Sequence, residues 1–150
     1  MERQKLINTC IDRLVFLKSK VEVSSKLNLT DMNIHSENFY RDFLNLLYEY
    51  DLKNINKIQH NATSIDLVDQ NNKIAIQVTS TPNLAKTKKT VDSFISKKLY
   101  EKYERLVILN IVKKTQHSKG QIGEEGLYQL DTNRDIWDVF DSVIPANFFL

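Results

Sequence analysis

Residues 64–80 constrain the fold of this chain more than any other stretch. Two β-rich runs flank Gln70, Asn71, Asn72 and Lys73, and turn formers set between alternating runs predict a hairpin. Ile65 and Leu67 alternate with Asp66 and Val68, while Ile74, Ile76 and Val78 alternate with Ala75, Gln77 and Thr79. Taking Asn71-Asn72 as a two-residue loop, both tolerant of positive φ, pairs residue 70 with 73. Counting outwards then sets Asp66 opposite Gln77, with Cβ atoms roughly 4.5–5.5 Å apart. A loop one residue longer or shorter would send the two to opposite faces. The register therefore predicts a carboxylate and a carboxamide side by side.

At 150 residues the chain is expected to form one domain able to bury a core. Three Gly and two Pro are too few for a turn-rich all-β sandwich or a collagen-like chain. Cys10 is the single cysteine, so no internal disulfide forms and a cytoplasmic setting is expected. The start of the chain lacks an apolar signal region, and no run of about 18 apolar residues predicts a membrane span. The net charge of +2 is unevenly placed. Residues 83–120 carry 10 basic against 3 acidic side chains, and residues 121–150 carry 1 against 6. A basic segment beside the hairpin suits phosphate contacts, and equally a solvated helix face.

In chain order, Leu6, Cys10, Leu14, Leu17 and Val21, widened by Ile7 and Ile11, predict an amphipathic helix over 3–23. That stripe suits internal packing or a homodimer. Cys10 within it reads as a small buried hydrophobe before a reactive thiol. A polar connection over 23–33 leads to a second helix over 34–50. There Phe39, Phe43, Leu46, Leu47 and Tyr50 face inward, and Glu37, Arg41 and Asn45 form another strip. A glutamate near a helix start is favoured by the macrodipole, which is a sufficient structural reason for Glu37. A first strand is predicted over 52–58. After the hairpin, Thr81-Pro82 is expected to start a helix reaching Tyr103, with Thr81 as its N-cap. The apolar run 105–112 predicts a strand buried on both faces and parallel to a neighbour. A polar loop over 113–126, a short edge strand over 127–130 and a last helix over 133–143, opened by Asp131-Thr132, complete the chain.

Helix, three-strand meander, helix and strand, with acidic and amide residues at Glu37, Asp66 and Gln77, resembles the PD-(D/E)XK nuclease-like core. The resemblance implies an α/β, restriction-endonuclease-like αβββαβ core. It would have a mixed sheet of four or five strands, helices on both faces and an extra N-terminal helix. Asp66 matches the strand-two aspartate, Gln77-Val78-Thr79 occupies the E-x-K triplet, and Glu37 fits the helix acid. Residues 33–42, Asn61, the run 64–67, the run 74–80 and the stretch 135–138 look more narrowly like the SMEK domain, over roughly residues 30–143. That resemblance implies a module at the start of larger bacterial proteins, some from defence-type systems.

The resemblance further implies a Mg²⁺-dependent nuclease acting on DNA, or an inactive relative that binds nucleic acid or docks a partner. Glu37, Asp66 and Gln77 would hold the metal, since Mg²⁺ takes hard oxygen ligands and usually one or two carboxylates. Thr79 stands in the lysine position and carries no charge. Lys86, on the first turns of the following helix, is the residue expected to supply the missing cation, ahead of Lys73. Thr79, Ser80 and Thr81 before a helix N-terminus, with Lys86, Lys88 and Lys89, suit a phosphate backbone. The plain structural alternative makes Asp66 a hydrogen-bond partner of Gln77 or Asn61. His35, His60 and His117 share no ligand spacing for zinc.

Overall fold

The computed structural model describes residues 1–26, 31–55, 65–111, 114–115 and 120–138, and side chains at 17–18, 21–22, 24–26 and 31–35 lie outside that description. Among the described residues there are three α-helices, α1 (Glu2–Lys26), α2 (Asp31–Tyr48) and α3 (Leu84–Ser96). A mixed five-stranded sheet is built from β1 (Lys53–Asn54), β2 (Leu67–Asp69), β3 (Ile74–Thr79), β4 (Arg105–Asn110) and β7 (Ile136–Trp137), in the order β1-β2-β3-β4-β7. A separate two-stranded ribbon pairs β5 (Gln121–Glu124) with β6 (Tyr128–Asp131). No helix among the described residues is long and apolar enough to cross a membrane.

The hairpin register follows the predicted arithmetic, with Leu67 opposite Ile76, Val68 opposite Ala75 and Asp69 opposite Ile74. The turn achieves it differently. Lys73, not either asparagine, takes positive φ, at 56°. Asp69 organises the turn: its Oδ1 accepts the Asn71 and Asn72 N–H groups at 2.9 Å, and its Oδ2 accepts Asn72 Nδ2 and the Asp51 N–H. Burial acts to raise the Asp69 pKa, but these donors, led by Asn72, outweigh it and hold the carboxyl below its ordinary value.

Helices cover both faces of the sheet. Alternation along β3 and β4 splits the side chains: Ile76, Val78, Val107 and Leu109 pack against Leu14 of α1 and Tyr40, Phe43 and Leu44 of α2. Ala75, Leu106 and Ile108 pack instead against Val91 and Phe94 of α3. β3 and β4 run parallel through six paired positions, as expected for a strand pair joined by a crossover helix. Part of the α1 stripe foreseen for packing is used inside the chain, with Leu14 buried and Ile7, Cys10 and Ile11 half-buried, while Leu6 stays exposed; the Leu17 and Val21 side chains lie outside the described residues.

Several expectations are corrected. The first strand is confined to Lys53–Asn54, and residues 56–64, including His60 and Asn61, lie outside the described residues. α1 continues to Lys26, and α2 begins at Asp31 instead of residue 34. The N-cap of α3 is Asn83, whose Oδ1 accepts the Lys86 N–H at 2.8 Å; Thr81 lies outside the helix. α3 stops at Ser96, because Lys98 turns left-handed at φ 55° before a 3₁₀ turn, Leu99–Glu101. Part of the foreseen 113–126 loop is β5, and the short strand near 127–130 is β6 in the ribbon instead of a sheet edge.

The last helix is also corrected at its start. Asp131 Oδ1 accepts the Asn133 and Arg134 N–H groups, as an N-cap does. The buried Asp135 then receives the Asp131 N–H, Arg105 Nε and both Arg134 donors, which pulls the chain out of the turn and against β4. Ile136 and Trp137 therefore pair in parallel with Ile108 and Leu109. Residues 139–143 of the foreseen helix lie outside the described residues.

Candidate active site

The site sits where β2 and β3 part company. The ladder is regular as far as Leu67 opposite Ile76, but the Asp66 N–H bonds to the Ile76 carbonyl at 3.0 Å, one step out of the extrapolated register. Asp66 therefore forms no regular backbone pair with Gln77. Its carboxylate replaces a ladder carbonyl: Oδ2 accepts the Val78 N–H at 2.8 Å. A backbone N–H of a strand points along the sheet, so the carboxylate reaching it stands in the gap between two diverging strands. From there it is approachable from both faces.

Two side chains meet it and a third lies within electrostatic range. From β3, Gln77 Nε2 donates to Asp66 Oδ2 at 3.2 Å and to the Val78 carbonyl at 3.3 Å. From α2, the Glu37 carboxyl shares a hydrogen bond with Asp66. From α3, the Lys86 ammonium is close enough to favour the charged form of Asp66. Glu37, Asp66 and Gln77, far apart in sequence, are thus brought into contact, with the Lys86 charge nearby.

The electrostatics of the pair follow from that geometry. The Glu37 pKa is pushed up to about 7, first by burial, then by the Asp66 charge and by the hydrogen bond it gives to Asp66. Asp66 is also raised by burial, and is drawn back by the Val78 N–H, the Glu37 hydrogen bond and Lys86. Two adjacent carboxyls cannot ionise independently, so the pair gives up its last proton at a higher pH than a lone carboxyl would. The macrodipole does not account for Glu37. It lies nearly two turns beyond Asp31, and the dipole's effect fades within the first turn.

Sequence reasoning overlooked the shell beside Glu37. Arg41, one turn further along α2, donates through Nη1 to Asn38 Oδ1 at 3.3 Å and to Asn54 Oδ1 of β1. Asn54 Nδ2 returns to Asn38 Oδ1 at 3.2 Å. The Glu37–Arg41 spacing of four was the available signal; the partner on β1 is fixed only by tertiary packing.

The residues expected to contact phosphate are divided. Thr79 is buried, and its Oγ1 accepts the Thr81 N–H at 3.0 Å. Ser80 is half-buried, and Thr81, Lys88 and Lys89 are exposed. The Asn83 cap already occupies the Lys86 N–H, so the α3 N-terminus is less open to an anion than free N–H groups would be.

Among the described residues no three His, Cys, Asp or Glu side chains converge to cage a metal. The donor set that does exist is two carboxylates and one amide. It suits Mg²⁺, which needs only one or two carboxylates and retains several waters, and does not suit a closed zinc site.

The fold and site thus define a mixed α/β domain with an acid pair set into a strand gap. The SMEK domain family model matches residues 9–144, and the chain belongs to that family. No curated protein and no solved structure matches it.

Proposed function

We propose that this SMEK domain is a divergent PD-(D/E)XK-type module with a restriction-endonuclease-like core, which hydrolyses phosphodiester bonds in DNA with Mg²⁺. The observation that carries the reading is the meeting of Glu37, Asp66 and Gln77 with the Lys86 charge in one strand gap. Glu37, Asp66 and Gln77 are the groups that would hold the ion, Gln77 after turning the amide whose Nε2 faces Asp66 so that its oxygen points inward. When bound, Mg²⁺ polarises a phosphate oxygen and lowers the pKa of an attacking water.

The chain's own residues supply the rest. Glu37 gives up its proton as the site fills, because metal binding requires ionised carboxylates. Asp66 is held in place by the Val78 N–H. Lys86 offsets negative charge developing at phosphorus, the duty that Thr79 cannot perform. The basic face of α3, through Lys88 and Lys89, aligns the backbone of the nucleic acid. A role as effector in a defence-type system, within a larger parent protein, agrees with the family resemblance.

One observation favours a second reading. Asp66 Oδ2 is already engaged by the Val78 N–H and Gln77, and an uncharged Thr79 stands in the lysine position. A domain built only for binding DNA or a partner protein would show these features too.

Incubation with supercoiled plasmid and Mg²⁺ or Mn²⁺ separates the two. The first reading expects nicking that is lost in Asp66→Asn and Lys86→Ala, and divalent-ion binding by calorimetry that is lost in Asp66→Asn. Cleavage that survives Asp66→Asn in a folded protein overturns it. Absence of both cleavage and ion binding, with salt-sensitive DNA affinity, establishes the second.

A further inference from the structure

The strand beside Gln77 buries an oxygen that has nothing to bond. Among the described residues, Asn110 Oδ1 is the one buried side-chain nitrogen or oxygen without a hydrogen-bond partner. Burying an acceptor without a donor is costly, so such an atom marks a place where a further polar group belongs. Asn110 ends β4 and is 1% exposed. Its Nδ2 donates to the Trp137 carbonyl of β7 at 3.4 Å. The two arms of a carboxamide diverge from one carbon, so the oxygen is turned away from β7.

The parallel register identifies what stands on the other side. Gln77 pairs with Ile108 and Thr79 with Asn110, in step with Ala75 and Leu106. Ala75, Leu106 and Ile108 face α3, and side chains two positions apart share a face. Gln77, Thr79 and Asn110 are therefore neighbours beneath α3, and all three are buried. Thr79, directly across, does not bond to Asn110: its Oγ1 accepts the Thr81 N–H at 3.0 Å, and its hydroxyl proton remains to be given. Gln77 is the diagonal neighbour, with its Cβ roughly 7–8 Å from that of Asn110, too far for one amide to serve Asp66 and Asn110 together.

We infer that these three side chains seat one ordered water, with Asn110 Oδ1 accepting from it, the Thr79 hydroxyl donating to it and the Gln77 amide completing the set. Buried waters characteristically make about three hydrogen bonds to polar groups that the protein leaves unpaired. The seat bears directly on the site. Gln77 Nε2 faces Asp66 and the Val78 carbonyl, and the amide must turn before its oxygen can serve as a ligand. After that turn the NH₂ group needs a new acceptor. A water meets either end of an amide, donating to the oxygen before the turn and accepting from the nitrogen after it. Thr79 and Asn110 are thus positioning residues that act through Gln77, and the same turn relieves Asp66 Oδ2 of one donor. The uncharged residue at the lysine position acquires a duty of its own. This inference rests on the reading of the gap as an ion site, where groups that orient a ligand commonly carry about 10–100-fold in affinity.

A high-resolution crystal structure of the 150-residue chain tests the seat. Density for a water within hydrogen-bond distance of Asn110 Oδ1 and Thr79 Oγ1 is expected; a direct Thr79–Asn110 bond, or no density there, overturns the inference. Calorimetry with Mg²⁺ tests its use. Asn110→Leu, branched alike but without the acceptor, and Thr79→Val are each expected to weaken binding by at least about tenfold, while Thr79→Ser keeps the wild-type affinity. Unchanged circular dichroism will show that the variants fold, and the two Thr79 variants decide alone should Asn110→Leu not fold. Folded Asn110→Leu and Thr79→Val proteins that bind Mg²⁺ as the wild type does overturn the positioning role. A wild type that binds no Mg²⁺ overturns the ion reading of the gap instead, and the density beside Asn110 then decides the seat by itself.

Discussion

Replacing Glu37 by Gln freezes the acid pair in one protonation state, and the consequence for stability can be worked from the structure. The Glu37 carboxyl moves from 4.5 to about 7 on folding, chiefly through burial and secondarily through the Asp66 charge. One pKa unit corresponds to about 1.4 kcal/mol, so the whole shift would amount to about 3 kcal/mol. Glu37 is only half-buried, and solvent screening reduces this to about 1–2 kcal/mol. The folded-state pKa is raised, so the contribution is fully present below about 4.5 and is lost as pH rises through about 7. Above that range the folded protein must hold two adjacent carboxylates ionised.

The amide that Glu37→Gln introduces keeps a donor facing Asp66 at every pH and has no proton to lose. Urea unfolding at about pH 4.5 and about pH 8 measures the difference. Between those limits the wild type is expected to lose about 1–2 kcal/mol more than Glu37→Gln, leaving the variant the more stable protein on the alkaline side. Groups common to both proteins cancel in the comparison, including Asp69, whose lowered pKa acts in the opposite sense. Parallel profiles, or a wild type that gains on Glu37→Gln as pH rises, would refute the coupling of Glu37 to Asp66. Adding Mg²⁺ extends the test: an ion that displaces the shared proton should narrow the gap at high pH, by stabilising the wild type preferentially.

Two further outcomes probe the frame that holds the site. Lys73 takes a left-handed conformation at φ 56° while its carbonyl accepts the Glu104 and Arg105 N–H groups, so Lys73→Gly relieves the side-chain clash and is expected to stabilise the fold by about 0.5–1 kcal/mol. Its exposed ion pair with Glu104 offsets little of that gain, and a loss of stability in thermal melts would contradict the account. Asp135 is wholly buried and gathers Arg105, Arg134 and the Asp131 N–H, so Asp135→Ala should cost about 2–4 kcal/mol and detach β7, read as early hydrogen exchange at Ile108 and Ile136.

What could be read from the sequence divides along physical lines. The β2–β3 register follows from alternation, because a slip of one residue would drive Ile74, Ile76 and Val78 off the face that Tyr40 and Leu44 cover. β4 was legible as well, since Leu106 to Leu109 is apolar on both faces and only a strand between helix layers buries both. β7 was not. Asp131 caps a turn just as a helix start demands, and the decision against a helix is made by Arg105, 30 positions before Asp135, where no local pattern registers it.

The candidate site shows the same division within four residues. Alternation brings Asp66 and Gln77 near each other. It does not reveal that Asp66 abandons the ladder and spends its carboxylate on the Val78 N–H. That step is what opens the site. A side chain standing in the plane of the sheet, unlike one rising from either face, can be met by Glu37 from the α2 layer and by Lys86 from the α3 layer together. The convergence of Glu37, Asp66 and Gln77 within range of the Lys86 charge is therefore a product of one irregular strand end. Any substitution that restores a regular ladder at residue 66 should leave Glu37 and Lys86 without the partner they share, even if every other group remains in place.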